Sequence, residues 1–258
     1  MDVALVGGCA LAGLTVGLIL DDVAARIPPA PPRAPVPESS AVPSASGLPA
    51  VAPPPAVPEP PAPPRALPAP PRAPERVAAS VFTAVAFGLA AVRIGAQPEL
   101  AAYCALFGGL VAVSVADLRV GLVPRALLYP TFGLMAVALV AASGVDGRWH
   151  PLADAAIGGA IAFALFFALW WFYPRGIGFG DVRLAGVLGA GLGWISFGSL
   201  YVGFASSFLI GVVVGLVLMA RNGTGRKTRL AFGPPLALGG IVGVLWGTWF
   251  THFWTAHP

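Results

Sequence analysis

The sequence predicts an all-α fold: a polytopic transmembrane helical bundle of about eight spans, with a disordered Pro/Ala-rich cytoplasmic loop. Hydrophobic residues make up 57% of the 258-residue chain and charged residues only 10%, whereas a soluble domain carries about 25% charged residues. The mean hydropathy is +0.82. Apolar runs close to the length of about 20 residues that crosses a bilayer recur along the chain. This composition argues against an ordinary soluble globular protein.

The first predicted element is the apolar run from Val3 to Leu20. A secretory signal peptide would carry basic residues before its apolar run, but here the first arginine, Arg26, follows it. We therefore expect residues 1–27 to form a retained first transmembrane helix with its N-terminus outside.

The second predicted region is a linker over residues 28–75. Twenty of its 48 residues are proline, so it has few N–H groups for regular structure and little apolar surface to bury. We expect this segment to be an extended, disordered tether on the cytoplasmic side.

The third region, residues 76–258, is predicted to hold the remaining spans. A stretch without charge, from Leu184 to Ala220, is too long for one span, and we divide it near Gly198. The seven predicted spans lie at about 77–94, 100–117, 126–143, 152–173, 182–197, 199–220 and 232–254.

The basic residues give an independent check on this topology, because cytoplasmic loops are enriched in Lys and Arg. With the N-terminus outside, thirteen of the 15 basic residues fall in the predicted cytoplasmic segments, and only Arg93 and Arg148 fall outside. The distribution favours both the number of spans and their orientation. Because the basic residues follow this topology, the net charge of +4 does not by itself indicate a nucleic-acid partner.

Metal and cofactor chemistry has no sequence signal. Cys9 and Cys104 form no Cys-x-x-Cys pair, and the three histidines, which include His150, have no His-Glu-x-x-His spacing. We therefore predict neither a metal site nor a cofactor.

Two aspartates stand out among only 11 acidic residues, since ionisable groups at membrane depth are costly and usually functional. Asp117 ends the third predicted span and Asp181 opens the sixth, so both lie at the predicted cytoplasmic boundary. Like charges at short distance cannot both ionise easily, so one carboxyl of a pair can stay protonated as an acid while the other acts as a base. That division suits peptide hydrolysis by an activated water, and we predict that Asp117 and Asp181 are catalytic.

Each aspartate also has a structural interpretation. Asp181 could simply cap the N-terminus of the sixth helix, and Asp117 could pair with Arg119. For Gly178 and Gly180, we expect backbone conformations closed to other residues and room for a substrate strand.

Three motifs resemble the type IV prepilin peptidase family of Gly-x-Gly-Asp membrane aspartyl proteases. They occur in the family's order on one predicted membrane face, although Arg125 stands where the family usually has Asn. In this chain they read Asp117-Leu-Arg-Val-Gly-Leu-Val-Pro124, Gly178-Phe-Gly180-Asp181-Val-Arg183-Leu184 and Lys227-Thr-Arg-Leu-Ala-Phe232-Gly233-Pro234.

This resemblance implies an aspartic endopeptidase that cleaves prepilin or pseudopilin leader peptides at the cytoplasmic face of a bacterial inner membrane, in type IV pilus assembly or protein secretion. Asp117 and Asp181 would be its catalytic residues. The resemblance further implies substrate-binding or positioning roles for Gly178, Gly180, Arg183, Pro124, Lys227, Phe232, Gly233 and Pro234. Its partners would be the prepilin and the lipid bilayer; the oligomeric state is not indicated.

The sequence departs from bifunctional members of that family in its first loop. Such members carry two Cys-x-x-Cys pairs there, associated with N-methylation, whereas residues 28–75 contain neither Cys nor His. N-methylation is therefore not expected. Two other functions remain open: an ion- or proton-coupled membrane transporter, and a non-catalytic scaffold for pilus assembly.

Overall fold

The computed structural model describes residues 2–25, 73–120, 125–173, 177–222 and 232–256. These residues form eight α-helices and no strand, which confirms the all-α prediction. The helices are α1 (Val3–Ala25), α2 (Ala73–Ile94), α3 (Leu100–Val120), α4 (Arg125–Asp146), α5 (His150–Phe172), α6 (Phe179–Ile195), α7 (Phe197–Asn222) and α8 (Gly233–Ala256).

Within the described residues, five segments are long and apolar enough to cross a membrane: Arg76–Ile94, Leu100–Leu118, Arg125–Asp146, His150–Phe172 and Phe197–Ala220. Val3–Ile19 is a shorter apolar stretch, and α6, with 17 residues, falls below the length of the five. The eight helices thus match the eight predicted spans in number and order. Five of them contain a segment that is long and apolar enough to cross a membrane. The chain is a multi-pass helical membrane protein.

Two differences between the helix boundaries and the predictions change how the chain is divided. The first helix after the linker begins at Ala73 rather than near Val77, so residues 73–75, predicted to end the linker, are helical. The break between α6 and α7 lies at Ser196 rather than near Gly198, because the Ser196 hydroxyl accepts the Ser199 N–H and starts α7. The rest of the predicted linker, through residue 72, lies outside the described residues.

The helices associate as three long pairs around a central helix: α1 with α2, α5 with α6, and α7 with α8. The central helix α3 contacts α1, α2, α4, α6 and α8. Its candidate span is 67% buried, against 22% for the spans of α5 and α7. Most large apolar side chains of α5 and α7 therefore face outward, as expected for helices at the lipid boundary.

Glycines line the seams of these pairs and bring the helix backbones close together. A Cβ on Gly158 of α5 would lie 2.7 Å from the carbonyl oxygen of Gly189 in α6, and one on Gly243 of α8 would lie 2.7 Å from that of Ser199 in α7. On α1, a Cβ on Gly13 would lie 2.7 Å from the Cα of Ala84. Small residues of this kind allow the close packing that drives association between helices in a membrane.

We expect Gly158→Ala to lower the free energy of unfolding by about 1–3 kcal/mol, because the added methyl group overpacks a seam closed by backbone atoms. Gly133→Ala is the matched control, since no atom lies within 4 Å of a Cβ there, and its effect should stay under about 1 kcal/mol. Thermal unfolding in detergent micelles measures both. Equal stability of the two variants would contradict the role of the α5–α6 seam.

Candidate active site

Asp117 and Asp181 meet at one end of the bundle, where α3 ends and α6 begins. Their residues are only 6% and 8% exposed. The two carboxyls are close enough for the charge of Asp117 to act on Asp181. The fold thus brings together two groups that are 64 residues apart in sequence.

Asp181 is held by the first turn of its own helix. The Gly178 N–H donates to Asp181 Oδ2 at 3.1 Å, and the Asp181 N–H donates to the Gly178 carbonyl at 3.0 Å. This reciprocal pair satisfies N–H groups that have no partner within the helix. Asp181 therefore does cap α6, as its structural interpretation proposed.

Asp117 is held by the first residue of a different helix. The Gly233 N–H, which opens α8, donates to Asp117 Oδ2 at 2.9 Å across 116 residues of sequence. A Cβ on Gly233 would lie 2.9 Å from that same oxygen. Any residue other than glycine at this position would therefore push against the Asp117 carboxylate. The proposed partner Arg119 has its side chain outside the described part of the structure.

The backbone at Gly178 corrects one expectation. Its φ and ψ are −79° and 145°, an extended conformation that any residue adopts, and Gly180 lies in the helical first turn of α6. Neither glycine needs a conformation closed to other residues. Glycine is favoured at position 178 for a steric reason, because a Cβ there would lie 3.3 Å from Asp181 Oδ2.

Phe232 anchors the start of α8. Its ring packs against those of Phe166 in α5 and Phe208 in α7, with centroids 6.1 and 5.8 Å away. A Cβ on Gly211 would lie 2.9 Å from the same ring, so α7 presents a flat surface to it. This aromatic cluster fixes the residue before Gly233 and thereby aims the Gly233 N–H at Asp117.

The other predicted positioning residues are more dispersed. The Arg183 guanidinium lies over the Phe179 ring, 4.6 Å from its centroid, a cation–π contact within α6. Pro234 follows Gly233 in α8 and is partly buried. Pro124 and Lys227 lie outside the described residues. Within the described part of the chain, no three His, Cys, Asp or Glu side chains cluster as metal ligands would.

Sequence reasoning found both carboxyls but missed the contacts that hold them. The Phe-Gly-Pro motif lies far from Asp117 in the chain. No local sequence signal shows that the Gly233 amide of this motif donates to the Asp117 carboxylate. One signal was available: glycine directly before a helix-starting proline leaves a free N–H at the helix N-terminus.

Comparison with known proteins finds one matching family and several named relatives. Residues 104–218 match the type IV leader peptidase family. Three relatives carry the name prepilin leader peptidase/N-methyltransferase. The protein of Pseudomonas putida is 32% identical over 60% of this chain and 53% of its own length. For that of Xanthomonas campestris the values are 34%, 54% and 47%, and for that of Pseudomonas aeruginosa 29%, 66% and 57%.

The chain spans about half the length of these curated relatives. No solved structure matches it. The matched stretch contains both Asp117 and Asp181 and extends from within α3 into α7. The part of this chain that carries both carboxyls is therefore similar to the type IV leader peptidase family.

Proposed function

We propose that this chain is a membrane-embedded aspartic endopeptidase that cleaves leader peptides of type IV prepilin or pseudopilin-like substrates at the cytoplasmic membrane face. One observation carries the proposal: Asp117 and Asp181 meet as two buried, electrostatically interacting carboxyls inside the stretch that matches the family. Two neighbouring carboxyls, one acting as base and one as acid, can hydrolyse a peptide bond without a covalent intermediate.

The reaction divides between the two groups according to their protonation. One carboxylate takes a proton from a water molecule, and the resulting hydroxide attacks the scissile carbonyl carbon. The other, protonated carboxyl donates its proton to the carbonyl oxygen. The proton that the first carboxyl took from the water then passes to the departing amine as the carbon–nitrogen bond breaks. Backbone N–H groups hold Oδ2 of each aspartate, and we assign proton transfer to the two Oδ1 atoms.

The proposed activity omits N-methylation. The relatives are named for both activities, but residues 28–75 of this chain contain neither Cys nor His. A zinc-type site of the kind associated with the second activity needs four such ligands.

A transporter is less well supported because its ionisable groups would lie near the middle of the membrane. The described acidic residues lie near helix ends instead. Asp117 and Asp181 lie at one end of the bundle, while Glu99 and Asp154 line a separate cavity of about 350 Å³ where α3 begins and α6 ends. A pilus-assembly scaffold would not need two buried carboxyls that interact electrostatically.

We expect Asp117→Asn and Asp181→Asn each to lower the cleavage rate by at least about 100-fold, because either change removes the acid or the base. Co-expression with prepilins of the same genome, with cleavage measured by mass shift, checks this. Asp154→Asn is the matched control: Asp154 contacts His150 at 3.0 Å at the other end of the bundle and should have little effect. A single variant that keeps most of the activity would contradict the paired mechanism.

We expect Gly233→Ala to lower the cleavage rate between about 10- and 100-fold, since its methyl group would displace the Asp117 carboxylate from a position set to within about 1 Å. The amount of folded protein, measured by size-exclusion chromatography in detergent, should be preserved. Gly144→Ala in α4, where no atom lies within 4 Å of a Cβ, should be silent. Cleavage by Gly233→Ala at the wild-type rate would mean that the close contact between Gly233 and the Asp117 carboxylate does not position that carboxylate.

The cytoplasmic location of the site is tested by cysteine labelling in a variant without Cys9 and Cys104. We expect a cysteine replacing the exposed Arg125, at the start of α4, to react only with reagents admitted to the cytoplasm. One replacing Arg148, whose side chain is 64% exposed between α4 and α5, should react only from outside. The reverse pattern would contradict cleavage at the cytoplasmic face.

A further inference from the structure

A polar cavity lies at the end of the bundle opposite the carboxyl pair, where α2 and α6 end and α3 and α5 begin. Its volume of about 350 Å³ is close to the lower end of the range of about 300–1,000 Å³ that ligand sites occupy. We call this site the mixed-charge cavity. Its lining includes charges of both signs and two aromatic rings, contributed by Arg93, Arg148, Glu99, Asp154, Tyr103 and Trp194.

Two of the four charged groups already have a close partner within the protein. The Arg148 guanidinium lies 2.7 Å from Asp146 Oδ2, and Asp154 Oδ2 lies 3.0 Å from His150 Nδ1. The side chains of Arg148 and His150 are 64% and 86% exposed, so these two contacts lie at the rim of the cavity. The other two charged groups, one of each sign, are not paired in this way.

Arg93 carries the remaining positive charge. Its guanidinium donates to the Thr248 hydroxyl at 2.6 Å, and no carboxylate oxygen of the described residues lies within 4.0 Å of it. A guanidinium has five N–H donors in a planar fork, so the contact with the hydroxyl leaves several donors for an anion. Phosphate oxygens fit such a fork with two parallel hydrogen bonds.

Glu99 carries the remaining negative charge, directly before the start of α3. Its backbone carbonyl accepts the N–H groups of Ala102 and Tyr103, whereas its side-chain Oε2 is buried and has no hydrogen-bond partner among the described residues. A buried carboxylate oxygen without a donor is costly. A primary ammonium has three donors and a positive charge, so it removes this cost.

These two remaining charges share one cavity without neutralising each other. The Arg93 guanidinium and the Glu99 carboxylate both act on the Tyr103 hydroxyl, so each lies near it, yet they are more than 4.0 Å apart. The hydroxyl donates its own hydrogen to the Gly191 carbonyl at 2.7 Å. The arrangement therefore matches a ligand that carries a negative and a positive group a few atoms apart.

Tryptophan side chains place this end of the bundle at the level of lipid headgroups. Trp249 follows Thr248, the partner of Arg93, and is 65% exposed. Trp149 directly precedes α5 and is 60% exposed. Tryptophan is enriched where a membrane meets water. The cavity therefore opens among headgroups, and the Trp194 ring in its wall offers apolar surface to the start of an acyl chain.

We propose that the mixed-charge cavity binds a phosphodiester joined to a primary ammonium, the headgroup of a zwitterionic aminophospholipid. Arg93 donates to the phosphate oxygens, and Glu99 accepts hydrogen bonds from the ammonium. A choline headgroup has no N–H to donate, and a glycerol headgroup has no positive charge. The cavity therefore discriminates between phospholipids that differ only in their headgroups. This inference is independent of the proposed function, because the cavity and the carboxyl pair lie at opposite ends of the bundle.

Lipid retention by the purified 258-residue chain tests the site. Phosphatidylethanolamine, phosphatidylcholine and phosphatidylglycerol with identical acyl chains compete at equal concentration in detergent, and native mass spectrometry counts the bound molecules. We expect phosphatidylethanolamine to bind about 10-fold more tightly than either competitor, and Glu99→Gln to abolish its preference over phosphatidylcholine. Arg93→Gln should weaken binding of phosphatidylethanolamine about 10-fold, and Arg93→Lys, which keeps the charge, should weaken it less.

Asp2→Asn and Arg125→Gln are the matched controls. Each removes one charge from an exposed residue that does not line the cavity, so both should keep the lipid preference. Equal retention of the three lipids by the unmodified chain would overturn the proposal. An unchanged preference in Glu99→Gln would overturn it as well, because Glu99 would then not bind the ammonium.

Thermal unfolding gives a second measurement that does not depend on counting bound lipid. A ligand that binds only the folded state raises the Tm. Phosphatidylethanolamine should raise the Tm of the unmodified chain more than phosphatidylcholine does, and this difference should vanish in Glu99→Gln. Water-soluble glycerophosphoethanolamine at the same concentration should leave the Tm unchanged. An equal rise with the soluble compound would show that the ligand is not a lipid and would overturn the proposal.

Discussion

The close approach of paired helix backbones is the constraint on which the position of both carboxyls depends. In a bilayer, helices gain little from hydrophobic burial against one another, so their association depends on van der Waals contact. Glycine at the α5–α6 and α7–α8 seams allows that contact. These two pairs set where α6 and α8 begin, and those beginnings hold Asp181 and Asp117. Packing far from the chemistry thus determines its geometry.

Both carboxyls use the same physical device. A helix N-terminus has N–H groups without intrahelical partners and the positive end of the helix dipole. Asp181 uses the N-terminus of its own helix, while Asp117, near the C-terminal end of α3, uses that of α8. These contacts favour the ionised form of each group, and burial opposes it. This balance between the N–H contacts and burial suits a pair in which one carboxyl is charged and the other is protonated. Capping and catalysis are therefore compatible roles for Asp181.

The helices, their order and the two aspartates could be predicted from sequence because apolar runs and rare charges are local signals. The reason given for Gly178 was wrong: the position requires space beside Asp181 rather than an unusual backbone conformation. The contact between Gly233 and Asp117 was out of reach because it joins residues 116 apart.

The length of α6 has a consequence for the surrounding bilayer. Its 17 residues span about 25 Å at 1.5 Å per residue, whereas the hydrocarbon core is about 30 Å thick. At least one end of α6 therefore lies below the ends of its longer neighbours unless the lipid thins around it, and one of those ends is the first turn that carries Asp181. Such hydrophobic mismatch costs a fraction of a kcal/mol per ångström. Locally thinned lipid brings water toward the carboxyls, so the thickness of the host membrane becomes a determinant of how readily the site is hydrated.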